Sequence, residues 1–431
     1  MPTTVGVAID FSNGASFGFP FLLSDPDYGI LGTNILADSA QDLSEITDQV
    51  IRVSTRRGRN RILSNFEVGS ATVVLNDPNS YFNPDNEDSP YWDPVTNSTK
   101  LLPLRKIRIW ADTTLGPTTY RYYIFSGYIT SYDTNFYQGV DTTSTVTLQC
   151  VDGFRLLNNV ATGTAPVPGC TAGQLSGTRV NALLDFADFP TSLRNIDTGD
   201  STMQADPGGN RNVLQAIQTI EQSEFGAFYV NTVGETRFLD RTDVSELADS
   251  FAQTYSDTGF GIRYVNLDFA YDDQLILNDV TVARYNDGVG PAVPQQVVDP
   301  ASIATYFRKS GLRSDILVQT DSEANDQART LLAARKNATL RIDSMDLTIS
   351  AQDTEPQAIT KITNDIYKLV KINKTMSGGT VVETELFIQG VQHDITPDSW
   401  KIKLLTAEPI IQAFILDSAN QGILDTNALS Y

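Results

Sequence analysis

The sequence has 431 residues, 41% of them hydrophobic, and its 52 acidic and 31 basic residues give a formal net charge of -21. The length fits about two to four domains with real cores, and the acidic balance disfavours a duplex-DNA binder, which needs a basic face. Residues 1–10 lack a basic stretch before an apolar run, and no window reaches the ~18 apolar residues of a membrane span. We therefore expect a chain that folds in a cytoplasm.

Residues 1–44 are rich in Phe, Gly, Pro and Asp with little periodicity. The run at 17–21 predicts an N-terminal arm that packs on another protein. Residues 45–152 predict a first β-domain, because short β-branched or aromatic segments alternate there with turn residues. Its clearest strands are expected at residues 71–75, 105–109, 122–129 and 144–148.

The pattern changes to mixed α+β over residues 153–268. Helical spacing predicts helices at 178–186 and 212–222. The second helix leads into a predicted hairpin at 226–239. A connecting region, 269–342, contains a predicted helix at 322–335 with Asp321 as its N-cap.

The strand signals of the first β-domain return in the same order at residues 343–410, before a C-terminal arm at 411–431. Ile109 and Gly127 lie 18 residues apart, as do Ile372 and Gly390. This spacing predicts a duplication that places Gly127 on Gly390 and Ile109 on Ile372; coincidence is the alternative, because hairpins resemble one another. The fold class is mainly β, with two related β-barrel-like domains flanking a mixed helix and hairpin domain.

Few residues are suited to catalysis. Cys150 and Cys170 are too few for a disulfide scaffold or a four-thiolate metal site. His393 is the single histidine, and a lone histidine on a strand is more often packed than catalytic. Asp and Glu are so common here that no pair of them indicates a glycosidase. The sequence therefore predicts no enzyme, no metal and no cofactor.

Two polar segments need separate interpretation. Residues 76–88 are dense in oxygen ligands, but two prolines and the lack of a glycine favour a solvated turn over a calcium loop. Residues 56–61 form the one dense basic run. No aromatic residues interleave it, so we favour a subunit contact over nucleic acid. The candidate contact residues are Arg56, Arg57, Arg59 and Arg61.

Several segments together resemble a family of minor tail proteins of siphophages. No single motif is diagnostic, and the number and order of the segments carry the resemblance. They are residues 46–59, 66–76, 82–84, 104–109, 125–129, 148–154, 223–226, 238–241, 278–280, 388–391 and 400–402.

The resemblance implies a structural virion protein, the baseplate hub at the tail tip, similar to the hub of contractile tails. Three copies, each with two tube domains, would form a pseudo-sixfold ring that continues the hexameric tail tube and closes or gates it for genome ejection. The implied partners are the distal tail and tail tube proteins, tail fibre or other tip proteins, and genomic DNA that passes without specific binding. Assembly would take place in the host cytoplasm.

Two other functions stay open. One is a hexameric distal tail protein that joins tube to hub, and the other is a tail-associated cell-wall hydrolase. A further hypothesis is that part of the negative charge lines a channel, because an acidic wall lets DNA slide without adsorbing. The alternative is that the charge only keeps an exposed surface soluble.

Overall fold

The structure is a computed structural model that describes residues 3–17, 42–60, 65–115, 118–135, 144–248, 250–258, 261–286, 288 and 292–408. Within these residues the chain is mainly β, as predicted, and most strands belong to one large sheet that is almost entirely antiparallel. No helix in the described part is long and apolar enough to cross a bilayer.

The first β-domain contains nine strands in chain order. They are β1 (Thr3–Asp10), β2 (Leu43–Glu45), β3 (Val50–Gly58), β4 (Ser70–Asn76), β5 (Trp92–Asp93), β6 (Ser98–Thr99), β7 (Lys106–Leu115), β8 (Thr118–Asn135) and β9 (Thr145–Val151). Alternation places Val73 and Leu75 inside, fully buried. Burying each such side chain contributes roughly 1.5–3 kcal/mol.

The middle domain combines short strands with helices that carry its core. Its elements are α1 (Phe154–Asn158), β10 (Gln174–Leu175), α2 (Ser176–Phe186), β11 (Arg194–Ile196), β12 (Thr202–Met203), α3 (Val213–Glu224), β13 (Ala227–Val230), β14 (Thr236–Leu239) and α4 (Arg241–Leu247). Both predicted helices and the predicted hairpin form. Helix α3 begins at a capping box between Asn212 and Gln215.

The second β-domain contains six strands and one helix, and a small insertion separates its second strand from its third. Its elements are β15 (Gln253–Ser256), β16 (Asn266–Ala270), β20 (Arg341–Ile349), α7 (Glu355–Ile362), β21 (Leu369–Thr375), β22 (Val381–Thr396) and β23 (Ser399–Ala407). The insertion comprises β17 (Asp279–Arg284), β18 (Gln295–Val298), α5 (Pro300–Tyr306), β19 (Ser310–Ile316) and α6 (Asp321–Arg335).

The two β-domains have the same strand order. In the first, the strands run β3-β4-β9-β8-β7-β1, and in the second they run β16-β20-β23-β22-β21-β15. We number the six barrel strands of each domain along the chain and leave out the short strands β2, β5 and β6 of the first domain. Both orders then read 2-3-6-5-4-1. Only the last pair differs, because β1 is antiparallel to β7 whereas β15 is parallel to β21.

Each β-domain closes on itself in the same way. The segment just before the second strand returns to the first strand, where the Ile46 N–H donates to the Val7 carbonyl at 2.9 Å. In the second domain the Ile262 N–H donates to Thr254 O at 3.0 Å, and Ile262 O accepts from the Ser256 N–H at 2.9 Å. The part of the large sheet in each β-domain therefore curls into a barrel, as the sequence predicts.

A shared backbone detail aligns the two β-domains residue by residue. Leu104 and Tyr367, just before β7 and β21, both adopt left-handed φ angles, of 65° and 63°. The Leu104 N–H donates to Ile129 O at 2.6 Å, and the Tyr367 N–H donates to Ile388 O at 2.7 Å. A bulge follows each acceptor residue, in the pairing of β8 with β9 after Ile129 and in the pairing of β22 with β23 after Ile388. Ile129 therefore corresponds to Ile388.

This alignment corrects the predicted residue correspondence while keeping the matching strand order. Ile107 pairs with Gly127, and Val370 pairs with Leu386. Ile109 therefore corresponds to Ile372 as predicted, but Gly127 corresponds to Leu386 and not to Gly390. The equal 18-residue spacing was misleading. Buried equivalent pairs confirm the new register: Ile107/Val370, Ile109/Ile372, Val73/Met345, Leu75/Leu347, Val146/Ile402, Leu148/Leu404 and Ile129/Ile388.

The structure differs from the sequence-based division at several points. Residues Thr3–Asp10 form strand β1, which pairs with β7, so the expected N-terminal arm begins as part of the first barrel. Most of the run at 17–21 and the segment 411–431 lie outside the described residues, although Phe17 itself is buried against Tyr128. The second β-domain starts at β15, before the predicted residue 343.

The region 269–342, expected to be a connection, instead contains a small domain with a core of its own. Strands β18-β17-β19 form its sheet, and α6 packs on them. The N-cap of α6 is Thr320 and not Asp321: the Glu323 N–H donates to Thr320 Oγ1 at 3.2 Å, which completes a capping box. Asp321 instead pairs with Arg284 at 2.7 Å.

The left-handed residue before β7 generates a stability prediction. Leu104 and Leu102 are equally exposed, each at 45%, but only Leu104 has a positive φ. Glycine tolerates that conformation, so Leu104→Gly should keep or raise the free energy of unfolding by up to about 1 kcal/mol. The control Leu102→Gly should lower it by about 0.5–1 kcal/mol through backbone entropy. Equal losses in urea denaturation would contradict the shared backbone device.

Candidate functional site

The feature that most distinguishes this chain is the junction between its two barrels. There β22 pairs antiparallel with β3, from Gly390 opposite Gly58 to Ile395 opposite Val53. A Cβ on Gly58 would lie 2.2 Å from Gln389 O, so only glycine fits where the strands approach. The junction (β3 with the second half of β22) fuses the barrels through backbone hydrogen bonding.

Arg57 connects three parts of the chain at the junction. Its side chain is buried; Nη2 donates to Asp365 Oδ1 at 2.8 Å and Nη1 donates to Val230 O at 3.3 Å. Asp365 precedes β21 of the second barrel, and Val230 belongs to the middle domain. The guanidinium therefore fixes both to the first barrel.

Arg59 lies at the centre of a buried cluster beside the junction. Its Nε donates to Gln389 Oε1 at 2.8 Å, and its Nη2 donates to Tyr367 Oη at 2.7 Å. The guanidinium stacks over the Phe66 ring at 4.2 Å, and Nη1 lies 3.6 Å from Glu221 Oε1. A buried charge needs such partners. The cluster holds α3 and the second barrel against the first.

Burial sets the charge balance of this cluster. It raises the pKa of Glu221 to about 7, although the positive charge of Arg59 opposes the shift. Asp152, which follows β9, behaves similarly: burial raises its pKa to about 7, against the N–H groups of Gly69 and Phe154 that donate to it. These carboxyl groups serve to hold backbone and cations in place.

The other two candidate arginines have different placements. Arg56 is exposed, and its Nη2 donates to Glu67 Oε2 at 2.8 Å and to Asn60 Oδ1 at 3.0 Å. Arg61 lies outside the described residues. Because Arg57 and Arg59 are used within the chain, the predicted subunit contact stays a prediction that depends on Arg56 and Arg61. Strand alternation from Val53 was the signal that could have placed Arg57 inside.

His393 lies on β22 in the junction and is buried. The Trp400 Nε1–H donates to His393 Nδ1 at 3.2 Å, so the proton of the neutral ring is on Nε2. Burial, followed by the positive charge of Arg57, lowers the pKa of His393 to about 3. An imidazole in this state is a packing residue and not a general base.

Both thiols are buried, and burial raises their pKa values, to about 11 for Cys170 and further for Cys150. A thiol in this state is inert, because the thiolate is the nucleophile. The polar turn behaves as a turn: buried Asp77 accepts from the Tyr81 and Phe82 N–H groups at 2.8 and 2.9 Å.

Within the described residues, one cluster of three carboxylates has the spacing of a metal site. It consists of Asp197, Asp240 and Asp243. Arg237 already supplies a cation there, with Nη1 at 2.9 Å from Asp197 and Nη2 at 3.6 Å from Asp243. Burial, followed by a hydrogen bond that the protonated Asp197 donates to Asp243, raises the pKa of Asp197 to about 7. The group is therefore explained by internal pairing.

Comparison with solved structures finds this arrangement of domains elsewhere. A tail protein from Neisseria meningitidis MC58 matches with a TM-score of 0.54 and 12% identity, over 94% of this chain and 96% of that one. The chain has a tail-protein fold. A second structure with this fold is the 43 kDa tail protein of prophage MuSo2 from Shewanella oneidensis, with a TM-score of 0.52 and 10% identity over 85% of this chain and 96% of that one. No family model and no curated protein matches the sequence.

The cluster around Arg59 generates a prediction with a matched control. Arg59→Ala leaves Glu221 and Gln389 without their partner in a buried site, so it should lower the free energy of unfolding by about 3–5 kcal/mol. Arg56→Ala removes only an exposed pair and should cost less than about 1 kcal/mol. Urea denaturation of both variants measures the difference. Similar small losses would contradict the structural role of Arg59.

Because His393 is the single histidine, its titration is directly observable by NMR. The folded chain should show no imidazole shift between pH 8 and 5, whereas the urea-unfolded chain should titrate near ~6.5. The unfolded state then binds the proton first, so this histidine reduces stability as the pH falls below about 6.5. His393→Gln should weaken that acid sensitivity. An imidazole that titrates near its ordinary pKa in the folded chain would show that it is accessible.

Proposed function

We propose that this chain is a structural phage tail protein and that it forms the hub ring at the tail tip. The observation that carries the proposal is the fusion of two barrels with one strand order, edge to edge, in a single chain. Three such chains present six similar barrels, which matches the sixfold symmetry of a tail tube. The tail-protein fold of the two matched structures supports the same assignment.

The alternatives fit less well. A hexameric distal tail protein needs one barrel per chain to match the tube, and this chain supplies two. A wall hydrolase needs a reactive group that its substrate can reach. The histidine of this chain is buried with a pKa of about 3, and both thiols are buried. Glu221 and Asp152, carboxyl groups whose pKa values rise to about 7, are buried as well. A structural role is therefore favoured over both.

In this proposal the ring lies in the virion at the tail tip, after assembly in the host cytoplasm. The distal tail and tube proteins contact one side, and fibre or other tip proteins contact the other. Genomic DNA passes through the ring without specific binding. The net charge of -21 per chain supports that passage, because an acidic wall repels phosphate over a Debye length of about 8 Å.

The subunit count of the ring tests the proposal. Mass photometry and negative-stain electron microscopy of the purified chain, with the matched tube protein added where it nucleates assembly, should give three chains and six similar lobes. Six chains per ring would favour the distal tail protein. Release of sugars or peptides from purified cell wall would favour the hydrolase, and a chain that stays monomeric in both conditions would contradict a ring.

A further inference from the structure

Two of the unpaired sheet edges in the described part of the chain belong to strands that correspond to the strands of the junction. On β8 the segment Ser131–Asn135 pairs with β9 alone, because β7 has already left β8 at Ile129. On the second barrel, β16 pairs with β20 alone. Unpaired strand edges readily add another strand. Neither edge carries the lysine or proline that usually blocks such pairing.

The equivalent strands of the opposite domains are already paired within the chain. β22 corresponds to β8, and β3 corresponds to β16. Strands β22 and β3 pair with each other and form the junction. The fifth strand of one barrel thus pairs with the second strand of the other. The complementary combination, the fifth strand of the first barrel with the second strand of the second barrel, is the one left open.

We propose that β16 of one copy pairs antiparallel with Ser131–Asn135 of a second copy, and that this contact repeats the junction between chains. The inference rests on the proposed ring and names the surface that closes it. The β16–β20 ladder shifts register between Asp268 and Phe269, so we count along β16 itself from Leu267, which corresponds to Val53. On that count the register of the junction places Thr134 opposite Phe269 and Tyr132 opposite Tyr271. The contact joins unlike surfaces, and such a contact gives a closed ring when the rotation between successive copies closes. Every barrel then contacts its neighbours through the same pair of edges.

Exposed apolar side chains support a covered surface at β16. Phe269 and Tyr271 are 37% and 68% exposed, whereas Thr55 and Arg57, at the corresponding positions of β3, are each 3% exposed. Aromatic residues on β16, which is an edge strand, are therefore exposed at positions that are buried on β3, which is paired at the junction. A strand from a neighbouring chain would cover them in the same way.

The charges of the two edges are compatible despite the acidic chain. The exposed ion pair of the junction, Arg52 to Asp394 at 2.9 Å, corresponds to Asn266 and Asn135, which are uncharged. Asp268 already faces Lys403 of its own chain at 3.4 Å. Pairing of these edges therefore brings no bare acidic pair together.

The contact should be shorter than the junction. Gly58 and Gly390 face each other there, and the equivalent positions are Asp272 and Ser131, whose side chains need room. Asp272 also binds Arg341 of its own chain at 2.9–3.0 Å. The interchain ladder is expected to end at Tyr132 and Tyr271.

A cysteine cross-link tests the register. Residues directly opposite each other in an antiparallel pair have Cα atoms about 4.5–5.5 Å apart, which suits a disulfide. The full chain carrying Thr134→Cys and Phe269→Cys, assembled and treated with oxidised glutathione, should give covalent dimers and the covalently closed ring. Each single variant alone should give neither, since Cys150 and Cys170 are buried. Asp133→Cys with Phe269→Cys, shifted to the other face, is the register control.

The outcomes separate this inference from the proposed function. Assembled rings in which Thr134→Cys and Phe269→Cys do not cross-link would overturn the edge pairing but not the proposed ring. An edge that is already covered by another segment of the same chain would give this result. Absence of both rings and cross-links would overturn both. Cross-linked open chains without rings would support the edge contact and contradict the ring.

A charge substitution gives a second measurement that does not depend on disulfide geometry. Tyr271→Asp should abolish ring assembly while thermal unfolding by circular dichroism stays as in the wild type, because Tyr271 is mostly exposed in the single chain. Phe251→Asp, at a side chain 88% exposed in the segment before β15, is the matched control and should assemble normally. Normal rings with Tyr271→Asp would contradict the contact.

Discussion

The change of partner along β22 is the constraint on which the rest of the molecule depends. Its first half pairs with β21 and closes the second barrel, and its second half pairs with β3 of the first barrel. From Phe387 to Thr396 the strand is also paired with β23 on its other side. Backbone hydrogen bonds thus cross the domain boundary, and the two barrels share one sheet and one continuous core. Relative movement of the barrels would break that ladder.

The buried cations reinforce this geometry. Arg57, on β3, and Arg59, just after its end, point toward the middle domain and α3. They hold carbonyl, amide, phenol and carboxyl oxygens around them. Isolated buried charges are costly, so these contacts are a matter of specificity more than of net stability. They determine which surface of the middle domain meets the junction. The basic run of this acidic chain is mostly used internally.

The two barrels are alike in topology but differ in their surfaces. The barrels keep strand order, closure, bulge and left-handed residue, while their insertions differ: a turn-rich segment with β5 and β6 in the first, and the β17–β19 domain in the second. Equivalent positions on the two barrels carry different side chains where their surroundings differ: Arg57 is buried at the junction, and Tyr271 is mostly exposed. Such a pair of barrels presents two unlike edges, which is what a ring of identical chains requires.

The sequence by itself determined the mainly β class, the principal strands, both helices of the middle domain and the repetition of the β-domain. These features depend on local periodicity and turn residues, which act over a few positions. It also indicated from composition that the lone histidine and the two thiols do no chemistry. It did not reveal the strands of the small domain, whose short segments lack clear alternation.

Only the tertiary structure decided the register of the duplication, the place of β1 and the role of the arginines. An 18-residue spacing is shared by hairpins of different register, and the bulges that set the alignment depend on contacts with a distant strand. Thr3–Asp10 is a strand because β7, about a hundred residues later, offers it an edge. Arg57 and Arg59 are buried because Asp365, Tyr367 and Glu221 arrive from other domains, and a run of basic residues read alone carries no information about those distant partners.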